Sequence, residues 1–152
     1  MMIKLEKILV PIDFSQFSAK ALRYGEELAT KFHAELHLLH AFEIMPIMNG
    51  DSVYFPPDLA VQEEAAAAKT LDEQQVDVPD DVHVVREMKH GHPFVEVVRY
   101  AKENDIGLIV MGTHGRGAIA HMLLGSVAER VVRKAPCPVL TVRDEEHEFV
   151  MP

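Results

Sequence analysis

The sequence predicts an α/β fold built on a parallel sheet, and three observations support this prediction. The chain has 152 residues, the size of one ordinary domain, and 48% of them are hydrophobic, which is enough for a sizeable core. Short runs of branched aliphatic residues alternate with segments of helical periodicity. The runs are almost continuously apolar, which is typical of parallel strands that helices cover on both faces. We therefore expect right-handed crossovers between successive strands.

Five segments are predicted to be strands. Four are short and apolar and one is more polar; in chain order they are 7–11 (KILVP), 36–40 (LHLLH), 83–88 (HVVREM, the polar one), 108–111 (LIVM) and 139–142 (VLTV). Four helices are predicted between them, at 21–32, 59–75, 94–101 and 127–134. Ser15 or Ser18 is a suitable N-cap for the first helix, and Pro93 suits the first position of the third.

Segment 43–57 interrupts this alternation. It has no periodicity and contains Pro46, Asn49-Gly50 and Pro56-Pro57. A connection of about 15 residues is long for a compact domain, so we interpret the segment as either a mobile lid or a disordered, variable loop. The end of the chain, with the charge run 144–148 (DEEHE), is predicted to be a solvated tail.

Charge and composition exclude several classes of protein. The formal net charge is −9, which opposes general nucleic-acid binding because that needs an excess of Lys and Arg facing phosphates. Residues 112–143 nevertheless hold five Lys and Arg side chains against Glu129 alone, so a local anion site stays open. Cys137 is the only cysteine, which excludes an intrachain disulfide. No signal-peptide core and no run of about 18 apolar residues occurs, so we expect a cytoplasmic protein without a membrane partner.

A glycine-rich stretch follows the fourth predicted strand. Gly112 would let a ligand approach the backbone, and Gly115 follows three residues later. Gly125 and Ser126 open the last helix, whose N–H groups and dipole suit phosphate oxygens. Ser126 and Glu129 also fit a capping box, which is compatible with phosphate binding. The stretch is no Walker A loop, because the sequence contains no Gly-Lys-Ser or Gly-Lys-Thr.

The spacing Gly112-x2-Gly115-x9-Gly125-Ser126 resembles the ATP-binding signature of the universal stress protein family, with every position filled. Segments 8–13 (ILVPID), 38–41 (LLHA) and 135–140 (APCPVL) are similar to the family's first strand, its second strand and the approach to its last. The resemblance extends over about residues 4–143 and departs at Gly107, where the family often has Asp. It implies one nucleotide-binding domain at 1–143 with an acidic tail at 144–152. The implied fold is a doubly wound, adenine-nucleotide alpha-hydrolase-like five-stranded parallel sheet of order 3-2-1-4-5.

The resemblance also implies a nucleotide site. Asp13 would bind the ribose, beside which Pro11 would lie, while Ala41 and Met111 would contact adenine. The phosphates would meet the backbone and hydroxyl groups of Gly112, Gly115, Gly125, Ser126 and Val127, and we add Arg116 as a candidate phosphate contact. The alternative for Asp13 is a turn or capping role before the first helix. The ligand role requires Asp13 at the ribose end, because triphosphate would repel a carboxylate.

Three classes of function follow. The first is a nucleotide-dependent stress-response or regulatory module that binds ATP, ADP or AMP; the second is a slow ATPase; the third is an interaction module that uses no nucleotide. No residue is assigned as catalytic, although His114 or Asp13 could serve as a base. We expect no metal site made of protein side chains, and Mg²⁺ to accompany the nucleotide. Family members commonly pair through the last strand, which implies a homodimer; protein partners beyond it stay unidentified.

Overall fold

The computed structural model describes residues 5–54, 56–115 and 124–143. Within these ranges the chain forms seven strands and four helices. In chain order they are β1 (Lys7–Pro11), α1 (Gln16–Phe32), β2 (Glu35–Phe42), β3 (Ile47–Asn49), β4 (Ser52–Tyr54), α2 (Pro57–Asp72), β5 (Val84–His90), α3 (Pro93–Glu103), β6 (Leu108–Gly112), α4 (Ser126–Lys134) and β7 (Val139–Val142). The predicted acidic tail and Arg116 lie outside the described residues.

The main sheet has the order β5-β2-β1-β6-β7, and all four of its strand pairs are parallel. Counted over the five predicted strands, this is the order 3-2-1-4-5, so the predicted fold is confirmed. The winding of the chain reverses between β1 and β6. Ligands of open α/β sheets bind beyond the carboxyl ends of the strands at such a reversal, which directs attention to the residues that follow β1 and β6.

Helices cover both faces of the sheet, as the continuous apolar runs predicted. Alternate strand residues such as Ile8, Val10 and Val110 face one layer, which contains α1 and Leu71 of α2. Their neighbours Leu9, Leu39, Ile109 and Met111 face the other layer, which contains α3 and α4. The three inner strands β1, β2 and β6 therefore bury side chains on both sides, which is why their sequences are almost continuously apolar.

The helix ends follow local capping rules. Ser15 is the N-cap of α1, and its side chain accepts a hydrogen bond from the N–H of Ser18 at 3.3 Å. Pro57 and Pro93 occupy the first positions of α2 and α3, where a missing N–H costs nothing. Helix α2 begins two residues earlier than predicted, at Pro57, and ends three residues earlier than predicted, at Asp72. Within the described ranges, no helix is long and apolar enough to span a bilayer.

The interpretation of segment 43–57 as a disordered loop is wrong. Strands β3 and β4 pair as an antiparallel hairpin, with Met48 opposite Val53 and Gly50 in the turn at φ +59. Each strand has only three residues, and all six are exposed. Because no face of the hairpin is buried, its sequence carries no alternation that could have identified it. Its action as a lid stays a prediction.

A polar cluster is buried between β2 and α3. The Nδ1 atom of His37 lies 2.7 Å from the hydroxyl of Tyr100, and its Nε2 lies 2.6 Å from Oε1 of Glu35, off the axis of a good hydrogen bond. Burial lowers the pKa of His37 below its ordinary value of 6.5, although the Glu35 carboxylate opposes this. Burial also raises the pKa of Tyr100 to about 12. Both groups are therefore neutral in the folded protein at neutral pH.

The pKa of His37 predicts acid sensitivity. The unfolded chain takes up a proton at this residue as the pH falls below 6.5, while the folded chain takes it up only at lower pH. The free energy of unfolding should therefore fall between pH 6.5 and the lower folded pKa. Urea unfolding across this window should show a smaller decrease for His37→Asn than for wild type. His33→Asn is the matched control. His33 is exposed and has φ 51, a left-handed conformation that asparagine tolerates, so this variant should show the same decrease in the free energy of unfolding as wild type.

Candidate functional site

The candidate site lies where β1 and β6 end. The two strands are paired at Ile8–Leu108 and Leu9–Ile109, and each then leads into a loop. The loop after β1 contains Asp13, and the loop after β6 contains Thr113, His114 and Gly115. Both loops lie at the carboxyl edge of the sheet, at the reversal in strand order. The structure therefore brings together two segments about 100 residues apart in sequence.

The two carboxylate oxygens of Asp13 face different neighbours. Its Oδ1 accepts hydrogen bonds from the N–H of Ser15 at 3.0 Å and from the Ser15 hydroxyl at 2.5 Å. The turn role considered from the sequence is therefore real. Its Oδ2 is directed at Gly115, because a Cβ built on that glycine would lie 2.8 Å from it. The second oxygen can serve as an acceptor for a ligand while the first holds the turn.

Gly112 packs against α1. A Cβ at this position would lie 2.9 Å from Cβ of Phe17 and 3.0 Å from its carbonyl oxygen. The space that a side chain would fill is thus taken by the first turn of α1 and not by a ligand, contrary to the reason predicted for this glycine. Its contribution of backbone groups to a nucleotide site stays a prediction.

Gly125 packs against the loop after β6. Its N–H donates to the Thr113 carbonyl at 2.6 Å, and a Cβ here would lie 3.0 Å from the same oxygen. That N–H is therefore occupied within the chain, and the contribution of Gly125 to phosphate binding stays a prediction. The first bond within α4 runs from the N–H of Glu129 to the Gly125 carbonyl, so the N–H groups of Ser126, Val127 and Ala128 have no partner within the helix.

The predicted capping box does not form. Gly125 is the N-cap of α4, with φ −67 and ψ 157, and no side chain caps this helix. Ser126 is one position too far along the chain for the box, and the carboxylate of Glu129 pairs instead with Arg133 at 2.9 Å. The position of the helix start is set by the bond from Gly125 to Thr113, which the sequence does not reveal. The exposed hydroxyl of Ser126 thus lies at the helix start beside three backbone donors.

The residues predicted to contact adenosine lie on one face of the sheet. Met111 belongs to the core layer formed with α3 and α4, with 5% of its surface exposed. Pro11 and Ala41 follow the same alternation as Leu9 and Leu39 of that layer, so they point to the same face. Pro11 and Ala41 are half-buried near the carboxyl ends of β1 and β2. Contact of these residues with a base stays a prediction.

Two of the four described positive charges of segment 112–143 lie at the far end of α4 from this site. Arg133 and Lys134 lie in the last turn of α4, at the opposite end from Gly125. Arg143 directly follows Val142, whose carbonyl accepts the N–H of Thr113 at 3.1 Å. Among the described cations of the segment, Arg143 thus lies at the edge that carries the glycine loop, a placement that a charge count could not reveal.

Sequence reasoning missed three further residues at this site. Ser15 holds Oδ1 of Asp13, and the spacing Asp-x-Ser is a recognisable signal for such a turn. The carbonyl of Thr113 accepts a hydrogen bond from the N–H of Gly125, and its side-chain Oγ1 lies 3.0 Å from Nδ1 of His114. The third is His40, buried beneath the Asp13 turn. The described part of the chain contains no group of three or more His, Cys, Asp or Glu side chains that could hold a metal ion.

Comparison with known proteins gives consistent matches. The sequence model of a protein family described as "Universal stress protein family" matches residues 4–143 of this chain. Universal stress protein MJ0531 of Methanocaldococcus jannaschii is 33% identical over 146 residues, which cover 94% of this chain and 85% of that protein. The structure of universal stress protein UspA from Lactobacillus plantarum aligns with a TM-score of 0.77 at 28% identity, covering 92% of this chain and 99% of that one.

A further solved structure bears a ligand. It is described as a universal stress protein in complex with cAMP, and it aligns with a TM-score of 0.61, covering 92% of this chain and 98% of that one. Its identity to this chain is 24%, so this likeness concerns the fold.

Proposed function

The chain belongs to the universal stress protein family, and from the loops at the carboxyl ends of β1 and β6 we propose that it binds an adenine nucleotide and acts as a stress-response or regulatory module. One observation carries the proposal: a carboxylate oxygen of Asp13 faces Gly115, and that same loop contacts the start of α4. This arrangement supports the proposal, because it would give ribose hydroxyls an acceptor and phosphate nearby backbone donors. The cAMP complex of a protein with this fold supports adenine nucleotides as the ligand class.

The proposed ligand pose follows from the chemistry of each group. Adenine lies on the apolar surface of Pro11, Ala41 and Met111, and the ribose hydroxyls donate to Oδ2 of Asp13. The phosphates accept from the N–H groups of Ser126 and Val127 and from the Ser126 hydroxyl. Mg²⁺ would be held through phosphate oxygens and water, because Oδ1 of Asp13 is engaged by Ser15 and Oδ2 is assigned to the ribose hydroxyls. The acidic body of the protein repels longer polyanions.

Titration calorimetry with ATP, ADP and AMP, each with and without Mg²⁺, tests this function. We expect saturable heat with one nucleotide per chain. Mass spectrometry of the small molecules released on denaturing the purified protein identifies the resident nucleotide. No heat and no thermal stabilisation at millimolar ATP would contradict the proposal and favour the third class, an interaction module that uses no nucleotide.

A slow ATPase is the second candidate, because His114 lies in the proposed phosphate loop. Its Nδ1 is 3.0 Å from Oγ1 of Thr113, and its α-carbon lies 3.4 Å from a Cβ built on Gly125. Phosphate release measured over hours separates a binder from an ATPase. If hydrolysis occurs, His114→Asn should abolish it and leave ATP affinity within about twofold of wild type, as expected for a base that acts on water.

We further propose a cytoplasmic homodimer that pairs through β7. The lone thiol of Cys137 suits a reducing compartment, and burial raises its pKa. Strand β7 is the last strand of the main sheet and exposes 39% of Leu140. An apolar edge strand of this kind tends to pair with another chain.

Leu140→Lys is therefore expected to convert the dimer to a monomer. Wild type should sediment as a dimer at tens of micromolar, whereas the variant should sediment as a monomer because its charge would be buried in the interface. The same substitution at Val132, an exposed apolar residue of α4, is the matched control and should leave the dimer intact. A monomeric wild type, or a dimeric Leu140→Lys, would exclude this interface.

A further inference from the structure

His40 is a buried histidine of β2 that contacts both neighbours of Asp13. Its Nδ1 lies 2.7 Å from the carbonyl oxygen of Ile12, and its ring centroid lies 4.6 Å from that of Phe14. Because a carbonyl oxygen only accepts hydrogen bonds, Nδ1 carries a proton and donates it. The side chain is 9% exposed, so water competes little for this bond.

Ile12 is held by β2 through both of its backbone groups. Its N–H donates to the Leu39 carbonyl at 2.8 Å, which extends the pairing of β1 with β2 by one residue. Its carbonyl is then taken by the imidazole of His40 instead of by a backbone N–H. The side chain thus fixes the chain at the point where it leaves the sheet and enters the Asp13 turn.

The turn that follows has an unfavourable backbone conformation. Phe14 has φ 62, in the left-handed region that side chains other than glycine, asparagine and aspartate rarely adopt. Such a conformation persists only where its surroundings enforce it. The ring of Phe14 packs beside His40 and against the core layer of α1, which supplies that support.

We propose that His40 is a positioning residue of the nucleotide site, which places the carboxylate of Asp13 by holding Ile12 on one side and Phe14 on the other. The inference rests on the proposed function and adds to it a residue that lies behind the turn. Ser15 and His40 have separate tasks in this arrangement. Ser15 orients the carboxylate through Oδ1, whereas His40 fixes the backbone that carries it.

A pair of isosteric substitutions tests this role. Leucine and asparagine have nearly the same shape, and the amide nitrogen of asparagine occupies the position of Nδ1. His40→Leu removes the donor to Ile12, while His40→Asn retains it. Each variant is titrated with ATP and with 2′,3′-dideoxy-ATP, which lacks both hydroxyls that Asp13 would bind. His37→Leu, on the opposite face of the same strand, is the control.

We expect His40→Leu to weaken ATP binding about tenfold and to change dideoxy-ATP binding by less than about twofold. His40→Asn should recover most of the lost ATP affinity, and His37→Leu should retain the wild-type ratio of the two affinities. A merely structural role would weaken both nucleotides equally in His40→Leu. That result, or an asparagine variant no better than leucine, would overturn the inference while leaving the proposed function intact.

Failure of the proposed function has a different signature. Wild type would then bind neither nucleotide, and the inference would be overturned with it. Should His40→Leu not fold, as judged by circular dichroism, His40→Gln replaces it. Glutamine presents its amide near the position of Nε2 and not of Nδ1, so it should lose the preference for ATP that asparagine keeps.

Discussion

Replacing Asp13 by asparagine is expected to weaken ATP binding about a hundredfold, the largest loss of affinity that this site predicts. Asparagine keeps a carbonyl oxygen for Ser15, so the turn before α1 should remain. It places an amide nitrogen, which cannot accept a hydrogen bond, where the second carboxylate oxygen faces Gly115. The ribose then loses its charged acceptor; hydrogen bonds to a charged group contribute about 1.5 to 3 kcal/mol, and a hundredfold loss corresponds to about 2.8 kcal/mol.

Calorimetry of wild type and Asp13→Asn with ATP and dideoxy-ATP measures this effect. The variant should bind the two nucleotides with nearly equal affinity, close to that of wild type for dideoxy-ATP. Asp81→Asn, at an exposed carboxylate paired with His33, is the matched control and should bind ATP as wild type does. Equal ATP affinity in wild type and Asp13→Asn would remove Asp13 from the site.

Alanine at Gly112 is expected to lower the free energy of unfolding by about 2 to 3 kcal/mol, as overpacking against a fixed backbone does. The added Cβ would meet Cβ, the carbonyl oxygen and the carbonyl carbon of Phe17 at 2.9 to 3.1 Å. Two of these atoms belong to the backbone of α1, so no rotation of a side chain relieves the contact. Urea unfolding of wild type and variant measures the loss.

Gly115→Ala is the matched variant at the other loop glycine. Among the described residues, the one close approach to its Cβ would be Oδ2 of Asp13, the end of a side chain that can rotate. We expect stability within about 0.5 kcal/mol of wild type and a loss of ATP affinity, because the carboxylate is displaced from the ribose. If Gly112→Ala proved as stable as Gly115→Ala, the packing role assigned to Gly112 would be wrong.

The inner strands of the sheet were predictable because burial on both faces requires a nearly continuous run of apolar residues, which can be seen in the sequence. The run ILV at 8–10 is fully buried, with alternate residues in two different core layers. The more polar strand, β5, lies at the edge of the sheet, where its side chains are half-buried. The hairpin of β3 and β4 has no such apolar run and could not be predicted in this way, since every residue of its two strands is exposed.

The sequence predicted that Asp13 and Gly115 belong to one site, and the structure brings the two residues together. The packing contacts of the other glycines could not be predicted. Asp13 and Gly115 belong to loops, and Ser126 begins α4; their contacts depend on how β1 and β6 are placed side by side. Gly112 is close to Phe17 and Gly125 to Thr113, contacts that are remote in sequence and that no local pattern encodes. For the same reason Ser126 looked like an N-cap, although Gly125, bonded to Thr113, is the N-cap and the helix starts one residue earlier than predicted.

Chemical-shift mapping of backbone amides during titration with Mg²⁺-ATP tests the location of the nucleotide most directly. We predict saturable shifts that are largest at Gly115, Ser126 and Val127 and at the Asp13 turn. The amides of β3 and β4 and of the last turn of α4 should change little. Saturable shifts centred elsewhere, or none at millimolar ATP, would contradict the assignment of an adenine-nucleotide site to the loops after β1 and β6 and the start of α4.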